Sequence, residues 1–274
     1  MSGLYKMSDR MVSWEEVLIS STYYRSLIEK KMSHDDFWRS IGDMDDVIGI
    51  TGYPGAIVSS ISGYMHPAST ILDIGAGTGA FAIPLAERGY SVIALDPSAY
   101  HLGILKQKAE GKGLINIRYH EDLWSDQSST LIGEVDYALS AYSMIDPDLE
   151  GFIQRMIDTT RRGFFLIYRA GEPDPVDRYV FGDKPRAGYR YITRALDQLG
   201  SSYRVDYFKR TYSLPIPIYL RRYQESDKRS EDILAFLQDH GRLNGDSTVS
   251  CEVTDAMISV LKDADPIDST VPEQ

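Results

Sequence analysis

From Ser69 onward, short apolar runs alternate with amphipathic stretches. Thr70, Ile71, Leu72 and Ile74 form a run of the kind that makes a buried parallel strand. Val92 to Leu95, Ile115 to His120, Val135 to Ser140 and Phe164 to Tyr168 repeat it. Helical segments separate these runs. One is rich in Ala and Leu and stopped by Gly89, one follows Pro97 and ends at Gly111, and one carries Leu149, Phe152, Ile153, Met156 and Ile157 on a single face. The alternation predicts an α/β fold, a doubly wound and mostly parallel sheet with helices on both faces.

The flanks read differently. Residues 13–66 are predicted helical, with Ser13 and Glu16 as a capping box ahead of the stripe Trp14, Val17, Leu18, Tyr24 and Ile28. Ser33 and Asp36 repeat a similar start before Phe37, Trp38 and Ile41. Asp43 to Asp46 is expected as a polar loop, and Pro54 suits the first turn of a helix carrying Ile57, Val58, Ile61 and Met65. Trp14 is expected in the core. Past the fifth strand, Gly171 to Arg186 holds two prolines and several charges and is expected as a long loop. Tyr189, Ile192, Leu196 and Leu199 mark a helix closed by Gly200. Tyr203 to Leu214 is a sixth strand, ended by Pro215 and Pro217, and Ser230 to His240 is helical. Residues 256–262 could form a helix, but Ile258 and Val260 alternate and are β-branched, which favours a seventh strand. The expected division is a helical cap over residues 1–66, a core domain over 67–262 in which 171–255 contains a lid-like insertion before the last strand, and a frayed tail over 263–274.

Composition narrows the class. The chain has 274 residues, 43% of them apolar, enough for a full core. A net charge of −11 argues against nucleic acid or an anionic membrane as partner. Cys251 is the single cysteine, which forbids an intrachain disulfide and suits a reducing cytoplasm. No apolar run has the length of a membrane span, and the first ten residues hold no apolar signal core.

The chemistry concentrates between Ile71 and Asp96. Gly75, Gly77 and Gly79 follow the first strand at alternate positions, and Asp96 closes the second. Glycines let the backbone turn sharply and lie against a ligand. A helix expected to start near Gly79 points free N–H groups at the same place. A carboxylate at the end of the second strand can accept two ribose hydroxyls. The pattern therefore describes a nucleoside site, and Gly75-x-Gly77-x-x-Ala80 by itself also fits a relaxed dinucleotide fingerprint.

Asp73-Ile74-Gly75-Ala76-Gly77-Thr78-Gly79 resembles the first motif of class I S-adenosylmethionine (SAM)-dependent methyltransferases, and Asp96-Pro97-Ser98 resembles their second. The resemblance is specific from about Ile71 to Arg169. It implies a Rossmann-like seven-stranded sheet with an antiparallel last strand, SAM as cofactor, and N-terminal helices over the cofactor, where Trp38 or Tyr53 would cap the site. It implies that the loop after the third strand touches adenine, through Asp122 or through Leu123 and Trp124. It brings Ser140, at the end of the fourth strand, to the cofactor. The transferred methyl is expected beside Ala141-Tyr142-Ser143.

Methyl transfer asks mainly for alignment and dryness, so catalytic residues are hard to read. Tyr142 and His120 are the candidates, with a tyrosine wall and a polar strand-end histidine as the plainer alternatives. The Asp/Asn-Pro-Pro-Tyr motif of amide and amine methyltransferases is replaced by Ser140-Ala141-Tyr142-Ser143. The carboxylates that hold magnesium in catechol-type enzymes are missing after strands four and five, so no metal is expected. Tyr203 to Tyr223 interleaves arginine, lysine and tyrosine, which serves either an exposed edge or an anionic substrate. The expected activity is methyl transfer from SAM to a small molecule, with a homodimer left open. The rival readings are an NAD-dependent oxidoreductase and a non-catalytic SAM- or nucleotide-binding module.

Overall fold

The computed structural model describes residues 12–41, 44–224 and 226–262. Five helices come first: α1 (Trp14–Ile19), α2 (Thr22–Ile28), α3 (His34–Ile41), α4 (Met44–Thr51) and α5 (Ala56–Tyr64). The alternating core follows as β1 (Thr70–Ile74), α6 (Ala82–Glu87), β2 (Ser91–Asp96), α7 (Ala99–Gly111), β3 (Ile117–Glu121), α8 (Asp126–Ile132), β4 (Val135–Ala141), α9 (Leu149–Thr159) and β5 (Thr160–Arg169). The remainder is α10 (Pro175–Phe181), α11 (Tyr189–Gln198), β6 (Arg204–Pro215), α12 (Ile216–Leu220), α13 (Ser230–Asp239) and β7 (Thr248–Leu261).

The strands form one sheet in the order β3-β2-β1-β4-β5-β7-β6. Neighbours from β3 to β5 are parallel, and β7 runs antiparallel to both β5 and β6. The near-continuous apolar runs are explained by two-sided burial. Ile71 joins a layer with Ile57 and Ile61 of α5, Leu85 of α6 and Leu105 of α7. Leu72 and Ile74 face the other layer, with Phe152 and Ile153 of α9 and Ile192 and Leu196 of α11. Trp14 is buried there too, against Tyr168 and Tyr191, as expected, with its indole N–H donated to the Asp146 carbonyl at 2.8 Å.

A third, smaller core lies apart, built from Val176, Leu214, Tyr219, Tyr223, Ile233, Leu237 and Val249. The long outer strands account for it. Asp255 to Leu261 of β7 pair with β5 as well as, up to Ser259, with β6, whereas Thr248 to Thr254 extend past β5 and pair with β6. This free ribbon carries α10, α12 and α13.

Several boundaries differ from the sequence expectation. Met44–Thr51 is helical where Asp43 to Asp46 suggested a loop, and residue 43 lies outside the described residues. The expected loop 171–186 contains α10, because Asp174 caps it by accepting the Val176 N–H at 2.9 Å and Pro175 starts it. The helix after the glycines starts at Ala82, after a turn, and not near Gly79. Strand β6, expected over 203–214, forms the edge of the sheet beyond β7. Ile115 precedes β3 and is almost fully exposed. Among the described residues no helix is long and apolar enough to cross a membrane. The 263–274 tail lies outside the described residues.

Candidate functional site

The glycine turn is fixed to the end of β2. The Gly75 and Ala76 N–H groups both donate to the Leu95 carbonyl, at 2.7 and 3.0 Å. Gly75, Gly77 and Gly79 all take left-handed φ values, +72°, +53° and +92°. At Gly75 the absence of a side chain is also a matter of space. A Cβ there would stand 2.2 Å from the Ser143 Cβ, closer than two carbons can approach. Ser143 in turn donates to the Ile74 carbonyl and accepts from buried Ser140 at 2.8 Å, which ties β4 to β1 beneath the turn.

Asp96 is 5% exposed and joins the two motifs. One carboxylate oxygen accepts the Gly77 N–H at 2.8 Å and the other the Ser98 N–H at 2.9 Å. A carboxylate offers about four lone-pair sites, so roughly two remain for a diol. Burial pushes its pKa up, against those two backbone donors. Asp73 lies on the Ile71 face of β1 and is 2% exposed. Burial, with the neighbouring Asp96 charge, raises its pKa to about 7. Among the described residues its Oδ2 has no hydrogen-bond partner, and neither has the Tyr53 hydroxyl. Unpaired buried acceptors and donors are costly, and a polar ligand can satisfy them.

The N-terminal helices close over this edge. Asp35 of α3 accepts the Ser98 hydroxyl at 2.7 Å and the Tyr100 N–H at 3.2 Å. Asp45 of α4 accepts the Thr78 hydroxyl at 2.6 Å and the Lys108 ammonium at 2.9 Å. Trp38 packs on His101, ring centroids 4.9 Å apart, and Tyr53 meets Phe81 and Tyr142 edge-on. Burial lowers the His101 pKa although Asp96, Asp35 and Asp45 oppose this.

The expected residues are brought together unevenly. Asp73, Gly75, Ala76, Gly77, Gly79, Asp96, Pro97, Ser98 and Ser140 converge at the carboxyl ends of β1, β2 and β4. Asp122 and Leu123 follow β3, where Glu121 pairs with Asp96; Leu123 is 42% exposed and donates its N–H to its neighbour's Oδ1 at 2.8 Å. Trp124 departs from the expectation of an adenine wall. It is buried against Phe152 and donates its indole N–H to the Phe152 carbonyl at 3.2 Å, so it serves the helical layer of α9.

Tyr142 follows β4 with φ +57° and stacks on Tyr168 at 5.1 Å. Its hydroxyl donates to Asp255, which is fully buried and also receives Arg210 at 2.7 and 3.0 Å. Burial, then the Asp255 charge, pushes the Tyr142 pKa well above the ordinary tyrosine value. A phenol so held is a poor base. His120 pairs with Leu95 across the sheet, which puts it three strands from Ser140, about 14 Å away at the usual strand spacing. The two catalytic candidates therefore do not act on one atom. Asp35, Asp45 and Asp255 escaped the sequence reading as site residues, because no local spacing links them to the glycines, and Arg210 entered it only as part of the basic stretch 203–223.

The comparisons agree with this geometry. A family model described as "Methyltransferase domain" matches residues 71–163. An uncharacterized protein of Haemophilus influenzae is 33% identical over 96 residues, and the chain spans about a third of its length (35% of each chain). Among solved structures, the YcgJ protein of Bacillus subtilis aligns with a TM-score of 0.55 at 16% identity, over 77% of this chain and 97% of that one. A putative methyltransferase of Bacillus halodurans gives 0.55 at 14% identity, over 76% and 98%. The magnesium protoporphyrin IX methyltransferase of Synechocystis, solved with bound SAH, gives 0.53 at 14%, over 87% and 99%. At these identities the structures share the fold.

Proposed function

We propose that the chain, in which residues 71–163 match a methyltransferase domain, is a class I SAM-dependent enzyme that transfers the methyl group of SAM to a small-molecule acceptor. The observation that carries the reading is the convergence of two buried carboxylates, Asp73 and Asp96, on a left-handed glycine turn, with Asp73 Oδ2 left unpaired. Asp96 would hold the ribose hydroxyls with its remaining lone pairs, and Asp73 would face the cationic amino-acid end. Asp122 and Leu123 would border the adenine. When bound, SAM supplies a methyl carbon that accepts the acceptor's lone pair as its bond to sulfur breaks and those electrons stay on sulfur.

The chain's own work is to align and to exclude water. Tyr53 and Tyr142 would wall the reacting end, with Tyr142 held in place by Asp255 and Arg210. No metal is invoked, since Asp146, the first acid after β4, is committed to Arg155 at 2.5 Å. The NAD-dependent alternative is disfavoured by the antiparallel β7 inserted between β5 and β6, because the dinucleotide fold keeps its strands parallel. Helices α3 and α4 would act as a lid over the cofactor in a cytoplasmic enzyme. Titration calorimetry with SAM and NAD tests the reading, followed by an assay for S-adenosylhomocysteine with cell extract. Heat from SAM alone and product formation are expected. Binding of NAD in its place, or SAM binding without turnover on any extract, would overturn it.

A further inference from the structure

Beyond Tyr142, the carboxyl end of β5 opens into a cleft of ≈ 660 Å³. It lies between the β6–β7 ribbon and the segment leading into α10, and Arg169, Gly171, Asp174, Tyr212, Arg222 and Arg242 line it. A volume of this size suits a small ligand. The cleft's Arg169 stands opposite Asp255 in the strand register, and Asp255 receives the Tyr142 hydroxyl. Ala141 pairs with Ile167, Tyr142 stacks on Tyr168, and the next residue is Arg169. The Arg169 charge acts on Tyr142, Tyr168 and Tyr212 alike.

The cleft's charges are unequally paired. Asp174 is taken by Arg242 at 2.5 and 3.1 Å, and Glu252 by Lys209 at 2.8 Å. Arg169 is half-buried, and among the described residues its side chain has no ion pair or hydrogen bond. Asp255 stands opposite it in the strand register, but that carboxylate belongs to Arg210 and Tyr142. Arg222 reaches Asp177 only at 3.5 Å, and Asp177 already receives Arg186 at 2.5 Å and the Tyr223 hydroxyl at 2.7 Å. Against these two guanidiniums stands one lining acid without an ion pair among the described residues, the exposed Glu172. A half-buried guanidinium fork with no carboxylate is suited to a planar or tetrahedral oxyanion.

We propose that this cleft seats the methyl acceptor, that the acceptor is a small molecule bearing a carboxylate or phosphate group, and that Arg169 holds that group while the reacting atom lies against Tyr142. The proposal rests on the methyltransferase reading and adds the substrate class. The full-length protein is titrated calorimetrically with inorganic phosphate, with citrate and, separately, with SAM. Saturable binding of one anion is expected. It should weaken at least tenfold in Arg169→Gln and fall between the two in Arg169→Lys, with SAM affinity within twofold of wild type throughout. In the second arm, the small-molecule fraction of a cell extract is separated on an anion exchanger and each pool is assayed for S-adenosylhomocysteine formation. The acceptor should elute with the retained anions, and Arg169→Gln should raise its KM far more than it lowers kcat. No saturable anion binding by the wild type, equal binding by Arg169→Gln, or an acceptor in the unretained pool would overturn the proposal. A protein that binds the anion but not SAM would instead overturn the methyltransferase reading.

Discussion

The inner sheet and the outer ribbon hold their sites by different means. Under the glycine turn, Leu72, Leu139, Phe165 and Ile167 are all 0% exposed, and the polar groups above them are mostly held by backbone donors. Along the β6–β7 ribbon, the small core is bordered by charges: Asp177 with Arg186, Arg222 and Tyr223, and Asp174 with Arg242 and Tyr219. Apolar packing is stiff and indifferent to salt. A charge network half open to water is directional, adjustable and screened. A cofactor with one fixed shape suits the first construction. A variable acceptor suits the second.

The largest expected effect breaks the inner side. Phe165→Ala should cost about 4 kcal/mol by cavity formation and lost burial, read from denaturant unfolding, and should weaken SAM binding as well. On the outer side, Asp177→Asn strips one charge from Arg186, Arg222 and Tyr223 and should cost about 3 kcal/mol, the low end for a buried partner because both arginines are partly exposed. SAM affinity should stay within twofold. Equal damage to SAM binding by both variants would erase the distinction between the two regions.

How legible these regions were follows from the same contrast. The glycines, Asp96 and the strand order are local or periodic, so the sequence displays them. The Asp35 and Asp45 links bridge separations of 63 residues (Asp35 to Ser98) and 33 residues (Asp45 to Thr78), the Gly75–Ser143 approach joins β1 to the end of β4, and no spacing rule reports any of them. Trp124 was misplaced because the direction of a short loop is set by what it packs on, here Phe152. The signal for α10 was present, since Asp174-Pro175 is a helix start, but the surrounding prolines and charges read as loop. Helix α8 has too little apolar periodicity to stand out.

A third expectation concerns protons. The Asp73 pKa rises from its ordinary value to about 7 on folding, so between about pH 4 and 7 the folded state binds the extra proton. Stability of the cofactor-free protein should therefore fall as pH rises through that window, by at most about 1.4 kcal/mol per pH unit for this one group, and level off above it. Asp73→Asn should remove this component of the slope, as measured by urea midpoints at several pH values. An unchanged slope would mean that Asp73 is already ionised in the fold.

The smallest effect is expected at the junction of the two regions. Tyr142→Phe removes one hydrogen bond to Asp255, which keeps Arg210, so a loss of about 1 kcal/mol is expected. Turnover should drop several-fold with no displaced limb in its pH profile, because the phenol walls the site and does not accept a proton. Loss of an alkaline-side ionisation from the profile would assign it a base role instead.

The central claim is that Asp96, locked between the Gly77 and Ser98 N–H groups, holds the ribose of SAM. Calorimetric titration of SAM into wild type and Asp96→Ala, with circular dichroism to confirm the fold, tests it most directly. The account predicts an affinity at least tenfold weaker in the variant, about 1.4 kcal/mol or more. An unchanged affinity in a folded variant would contradict it.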